Sequence, residues 1–298
     1  MNILFAMIPA FFWGTTYAVT QYTLPDWPPL LLGALRALPA ALLLLLIKPT
    51  LPKKGHWRVL FSLGLINIAT FFGLIFVMAL TLPAAISGVG MVSVPIFAMI
   101  YHWLMDKKKP NLMQVVSGTL LVILAWLLFD PSSISLNPIG LGAMFAAIMC
   151  IVVGSSITKS LGNTMDWWGV LTWQLLIGGV ILAFVSIGQF LVQPTPYIEV
   201  YQNFSAKNLI GLIWVFGLNT ALGYSLYVWL LQRMSVVDFS FGGIANPIAG
   251  IVSGFVLIGD SFTLYQYALM VSMIVTSLLP QLLVALRAFK SPISVNLR

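Results

Sequence analysis

Polar and aromatic side chains recur at helical spacing along apolar stretches of this chain, and their types suggest recognition rather than bond-making. Trp13, Thr16, Tyr17 and Thr20 sit three or four residues apart, which places them on one helix face. Asn67, Thr70 and Phe71 form a second such face, and Ser87, Gly90, Met91 and Val94 a third, leading to Pro95. Ser155 and Ser156 follow, then Asn219, Tyr224 and Tyr227, then Phe239, Gly242 and Asn246 before Pro247. An amide unpaired in hydrocarbon costs several kcal/mol, so Asn67 and Asn219 must each face a partner or a wet cavity. The hydroxyls of Thr15, Thr16, Ser155 and Ser156 have a plainer use, hydrogen bonding their own helix backbone. Trp13 fits a helix contact as well as a cavity wall. Pro95 and Pro247 each remove a backbone donor and are expected to kink their helices. Arg36 stands alone as a cation inside an apolar run. A substrate carboxylate, a backbone carbonyl or snorkelling to the interface would each satisfy it. Asp238 starts an apolar run, where it serves as a helix cap or, alternatively, as a proton carrier.

This inventory does not make an enzyme. His56, His102 and Cys150 cannot form a metal cluster, and one cysteine allows no internal disulfide. The acids are Asp26, Asp106, Asp130, Asp166, Glu199, Asp238 and Asp260, nearly all at the ends of apolar runs, and no GxSxG or HExxH occurs. No cofactor or metal is expected.

The elements that must position these groups follow from composition. The 298 residues are 60% hydrophobic and 7% charged, against about 25% charged in soluble domains. Such a chain cannot cover a surface facing water, so it is read as a multi-span membrane protein with the lipid bilayer as solvent. The net charge of +7 does not signal nucleic acid, because the cations occupy short breaks between apolar runs. Ten expected spans cover 3–22, 29–47, 58–80, 83–104, 111–129, 137–158, 167–191, 209–231, 235–258 and 264–286. Only 192–208 is long enough for a surface helix or loop. With the N-terminus in the cytoplasm, twelve of the 14 Lys and Arg fall inside, Lys207 outside and Arg36 within a span. Both termini are therefore expected in the cytoplasm, and Lys107, Lys108 and Lys109 read as a cytoplasmic anchor.

A shift of 152 residues sets Asn67 on Asn219, Gly90 on Gly242, Pro95-Ile96 on Pro247-Ile248, and Gln114 on Gln266. A shift of 138 sets Arg36 over Gln174. Five spans separate the copies, so the halves are expected to be inverted across the membrane. The expected fold is all-α, ten transmembrane helices in two inverted five-helix repeats around a central cavity. Residues 1–130 form the first repeat, 131–286 the second and 287–298 a tail.

The stretch FFWGTTYAVTQYTLPDWPPLLLGALRALPAALLLLL resembles the opening of the EamA-type branch of the drug/metabolite transporter superfamily. VPIFAMIYHWL and NPIAGIVSGFVLIGDSFTLYQ are similar to its Pro-containing fourth and ninth spans. The resemblance implies export of amino acids or related metabolites. This chain departs from it in carrying Lys108 where the first half would hold an acid matching Asp260, and Gln21 where a basic residue often closes the first span. The neutral, aromatic, amide-rich face suits a small-molecule substrate such as a neutral or aromatic amino acid. A drug-like or nucleoside-like compound is the second reading, and a non-transporting scaffold the third. With no ATP-binding motif and no acid at mid-membrane, alternating access is expected to be downhill or weakly coupled. Spans one, three, four, six, eight and nine would rock around the cavity, leaving spans five and ten to scaffold or form a homodimer contact.

Overall fold

Long apolar runs without strand-period alternation favour helices in lipid, which offers no partners for N–H and C=O groups. The computed structural model describes residues 3–107, 109–129, 135–161, 164–231 and 243–290. All its regular elements are helical. They are α1 (Ile3–Thr23), α2 (Pro29–Ile47), α3 (Lys54–Thr81), α4 (Ala84–Asp106) and α5 (Leu112–Leu128). After these come α6 (Pro138–Leu161), α7 (Trp167–Val192), α8 (Ala206–Tyr227), α9 (Ala245–Ile258) and α10 (Leu264–Lys290). A short helix, Thr195–Gln202, connects α7 to α8, where the sequence suggested a surface helix or loop. Among these, α2, α3, α4, α6, α7 and α8 are long and apolar enough to cross a membrane. Helices α5 and α9 and the Leu264–Pro280 part of α10 are shorter apolar helices. Asp238 and Phe239 lie outside the described residues, as do Lys108, Asp130 and Arg233.

The helices do not stay α-helical throughout. The backbone widens to π geometry over Gly64–Thr70 in α3, Trp214–Leu222 in α8 and Gly254–Ile258 in α9. Helix α4 tightens into a 3-10 turn at Met91–Ser93. The segment after that turn starts at Val94, which puts Pro95 in its first turn, and α9 starts at Ala245, with Pro247 in its first turn. N–H groups in a first turn have no intrahelical partner, so these prolines cost no hydrogen bond there. The irregularity falls on the residues preceding each proline.

Packing depends on small residues at the crossings. Helix α2 lies along α7, α1 along α9, α5 along α10, and the α-helical end of α3 along α6. Ala34, Ala37 and Ala41 line the buried face of α2. A side chain at Gly179 would strike Leu38 and Ala37, and one at Gly178 would strike Ile68. This glycine pair lets α7 sit between α2 and α3. The core is continuous through Phe72, Ile75, Met78, Ile86, Leu175 and Met273. Large apolar side chains such as Leu46, Trp126, Phe184 and Leu191 point outward, as lipid-facing positions require.

Breaks expected on one face of the membrane meet in space. Lys48 pairs with Asp166 at 3.2 Å, and Trp173 Nε1 donates to the Thr50 carbonyl. At the opposite end, Asn208 donates to the Thr23 carbonyl at 2.7 Å, and the Asp260 carboxylate accepts from the Ala85 N–H at the start of α4.

Candidate functional site

The π stretch of α8 carries Asn219 inward against α1. Asn219 is fully buried, and its Nδ2 donates to Thr16 Oγ1 at 2.6 Å. Its backbone carbonyl accepts from Trp13 Nε1 at 2.9 Å. A π turn leaves carbonyls free of their usual i+4 donor, which makes such an indole contact available. The Trp13 ring in turn meets Tyr224 at 5.1 Å and Tyr227 at 5.3 Å between centroids. The expected α1 and α8 faces therefore form one aromatic and amide cluster. Tyr17, also buried, faces the crossing of α4 and α9 near Gly88. The tight meeting of α1 and α9 depends on Gly14, where any Cβ would fall on the Asn246 carbonyl oxygen.

Next to Asn219, Thr220 reaches α2. Its hydroxyl donates to the Val215 carbonyl five residues back and accepts from Arg36 Nε at 2.9 Å. The Arg36 guanidinium lies 4.1 Å from the centre of the Phe72 ring, and that ring contacts Tyr224 at 6.3 Å. Arg36 is only 4% exposed. No carboxylate among the described residues pairs with it.

The π stretch of α3 does for α7 what that of α8 does for α2. Asn67 Nδ2 donates to Gln174 Oε1 at 2.9 Å. Both amides are buried, and Gly154 of α6 abuts the Asn67 side chain. The side-chain oxygens of Asn67, Asn219 and Asn246 have no hydrogen-bond partner among the described residues. Phe71 is buried beside Phe72, whereas Thr70 is exposed, because the wider π turn takes it off the Asn67 face. Thr15 and Thr20 bond their own helix, donating to the Phe12 and Thr16 carbonyls, whereas the Thr16 hydroxyl accepts from Asn219. Ser155 is exposed.

A cavity of about 240 Å³ lies between α4, α9 and α10. Met91, Pro95, Asn246 and Pro247 line it, with Gly88, Ile274 and Ser277. Ser87, one residue away, is fully buried and its hydroxyl has no partner among the described residues. Several of the expected residues gather in three places, the α1/α8 cluster, the Asn67–Gln174 pair and the α4/α9 cavity, whereas Ser155 is exposed and Asp238 and Phe239 lie outside the described residues.

Gln174, Thr220 and Phe72 were not singled out as site residues. Gln174 had a signal, since it aligns with Arg36 at a shift of 138. Thr220 and Phe72 had none, because their importance comes from Arg36 reaching them. Gln21 closes α1 without a charge, its Nε2 donating to the Ala79 and Leu82 carbonyls at the end of α3.

Residues 1–129 match the family model described as the EamA-like transporter family. The protein PecM of Dickeya dadantii (strain 3937) is 31% identical to this chain over 259 residues, spanning 85% of this chain and 83% of PecM. YedA of Escherichia coli (strain K12), described as an uncharacterized inner membrane transporter, is 26% identical over 273 residues, 86% of this chain and 82% of YedA. A solved crystal structure described only as that of a protein superposes with a TM-score of 0.62 and 15% identity, over 97% of this chain and 99% of that one. At that identity the likeness concerns the fold.

Proposed function

Because this chain belongs to the EamA-like transporter family, within the drug/metabolite transporter superfamily, we propose that it exports neutral or aromatic amino acids or related compounds across the inner membrane by alternating access. The observation that carries this reading is the α1/α8 cluster. Trp13, Tyr224 and Tyr227 offer flat apolar surface beside the amide of Asn219 and the hydroxyl of Thr16. Uncharged aromatic walls with a few fixed polar groups suit a small amphipathic solute. The sequence holds no ATP-binding motif, so any pumping must draw on a gradient, and with no acid at mid-membrane in the expected spans movement is read as downhill or weakly coupled.

Two inverted halves supply the motion, 1–130 against 131–286, with both termini in the cytoplasm. Support comes from local geometry that repeats at the 152-residue shift. The π stretch around Asn67 recurs around Asn219. The left-handed backbone that ends α4 at Lys107 (φ 53°) recurs at Gly259 (φ 79°) at the end of α9. The capping box of Asn111 and Gln114 recurs as Thr263 and Gln266. Contacts follow the same rule: α2 on α7, α4 on α9 and α5 on α10 each join counterparts. In this scheme the breaks before Pro95 and Pro247 are the hinges, and Ser87, Met91, Ser155, Phe71 and Asn246 line the path.

The test is flux of radiolabelled phenylalanine, leucine and a nucleoside from proteoliposomes, with and without a pH gradient. Amino-acid flux lost in Asn219→Ala and Asn67→Ala, with folding intact, supports the reading. Flux of the nucleoside alone points instead to the drug- or nucleoside-type reading. Accumulation driven by a proton gradient alone would overturn the downhill mechanism.

A further inference from the structure

The Arg36 guanidinium is buried, 4% exposed, with no carboxylate among the described residues to pair with it. Only its Nε hydrogen bonds to protein, on Thr220, while one face rests on Phe72. Its remaining N–H groups donate to none of the described residues. Arg36 lies seven residues into α2, roughly 10 Å from the end of the helix. A cation there is costly, and a guanidinium with unspent donors more so. A purely structural arginine would be met by a carboxylate or by helix carbonyls. Among the described residues its hydrogen bond goes to a hydroxyl and its ring contacts are Phe72 and Phe76, which hold the group without neutralising it. The contacts run on from Phe72 to Tyr224 and from Tyr224 to Trp13, so apolar surface extends from the charge into the α1/α8 cluster.

We propose that Arg36 is an anion anchor. Its free N–H groups take the carboxylate of an organic acid whose apolar or aromatic body lies against Trp13, Tyr224 and Tyr227. The planar fork of a guanidinium matches a carboxylate with two parallel hydrogen bonds, which a lysine does not reproduce. Thr220 fixes the fork from behind, its hydroxyl oriented by the Val215 carbonyl of the π turn. The proposal takes from the transport reading that the occupant is cargo, and from Arg36 where the cargo's negative end sits.

The experiment uses the full chain in lipid nanodiscs and two probes of similar size and opposite charge, 3-phenylpropionate and phenethylamine, with inorganic phosphate as a third. Wild type should bind 3-phenylpropionate at least about tenfold more tightly than phenethylamine or phosphate. Arg36→Lys should weaken 3-phenylpropionate binding about tenfold, and Arg36→Gln more, while neither weakens phenethylamine. Equal affinity of wild type for the two organic probes overturns the proposal, whatever the variants do. So does phosphate binding as tightly as 3-phenylpropionate, or unchanged binding in folded Arg36→Lys. Proteoliposome flux separates the two readings. Arg36-dependent binding with no flux of any solute sinks transport and keeps the anchor, whereas flux indifferent to Arg36→Lys keeps transport and sinks the anchor.

Discussion

The buried amides are where a single residue has the largest consequence. Asn67 and Gln174 are joined by one hydrogen bond. Removing one partner leaves the other amide buried and unpaired, at a cost of about 1–3 kcal/mol. Gln174→Leu should therefore lower the midpoint of thermal unfolding, and Asn67→Leu added to it should recover part of the loss. A double-mutant cycle in detergent measures the coupling, and strictly additive losses would remove the pair from the account. At the second node, Asn219→Ala breaks the bond to Thr16 but keeps the carbonyl that holds Trp13. We expect flux to fall at least about tenfold, with stability reduced by only about 1 kcal/mol.

Helix ends and crossings carry the next level. Lys107 adopts a left-handed backbone where Gly259 does the same at the end of α9. An L-residue there costs about 1 kcal/mol relative to glycine, so Lys107→Gly should raise the unfolding midpoint slightly. Lysine at that position is explained by charge, as an anchor beside Lys109, rather than by backbone preference. Gln114 and Gln266 fall inside the expected spans 111–129 and 264–286 and align at the 152-residue shift. Both complete capping boxes, where loss of either costs about 1 kcal/mol. At the α1/α9 crossing, Gly14→Ala would drive a methyl into the Asn246 carbonyl, whereas a methyl at Gly142 meets open space. Thermal unfolding should separate the two, with a large loss for the first and almost none for the second. Most span limits were legible because hydrophobic length is a local property; 29–47 matches α2 at both ends. The prolines were legible as breaks but not in their detail, since only the fold shows where each helix restarts.

For the whole molecule the question is how the two halves face one another. Cysteines introduced at 107–109 and at 259–261, with Cys150 replaced, should react with an impermeant reagent from opposite sides of the membrane. Labelling of both from one side would remove the inverted arrangement and the rocking mechanism built on it. The 152-residue shift found in the sequence predicts this outcome. The recurring π stretch, left-handed cap and capping box are the physical counterparts of that shift.

Charge content and the length of the apolar runs were enough to define a helical membrane protein and most of its spans. Both are sums over neighbouring residues and need no knowledge of the fold. Spacing further placed Trp13, Thr16, Tyr17 and Thr20 on one helix face before any helix was located. Partners were another matter. That Asn67 meets Gln174 across 107 positions, Asn219 meets Thr16 across 203 and Arg36 meets Thr220 across 184 depends on which helices cross. Those crossings are set by small residues such as Gly14, Gly178 and Gly179, each significant only for what lies opposite it. A buried polar group announces in sequence that it needs a partner, and only the tertiary structure selects the one it takes.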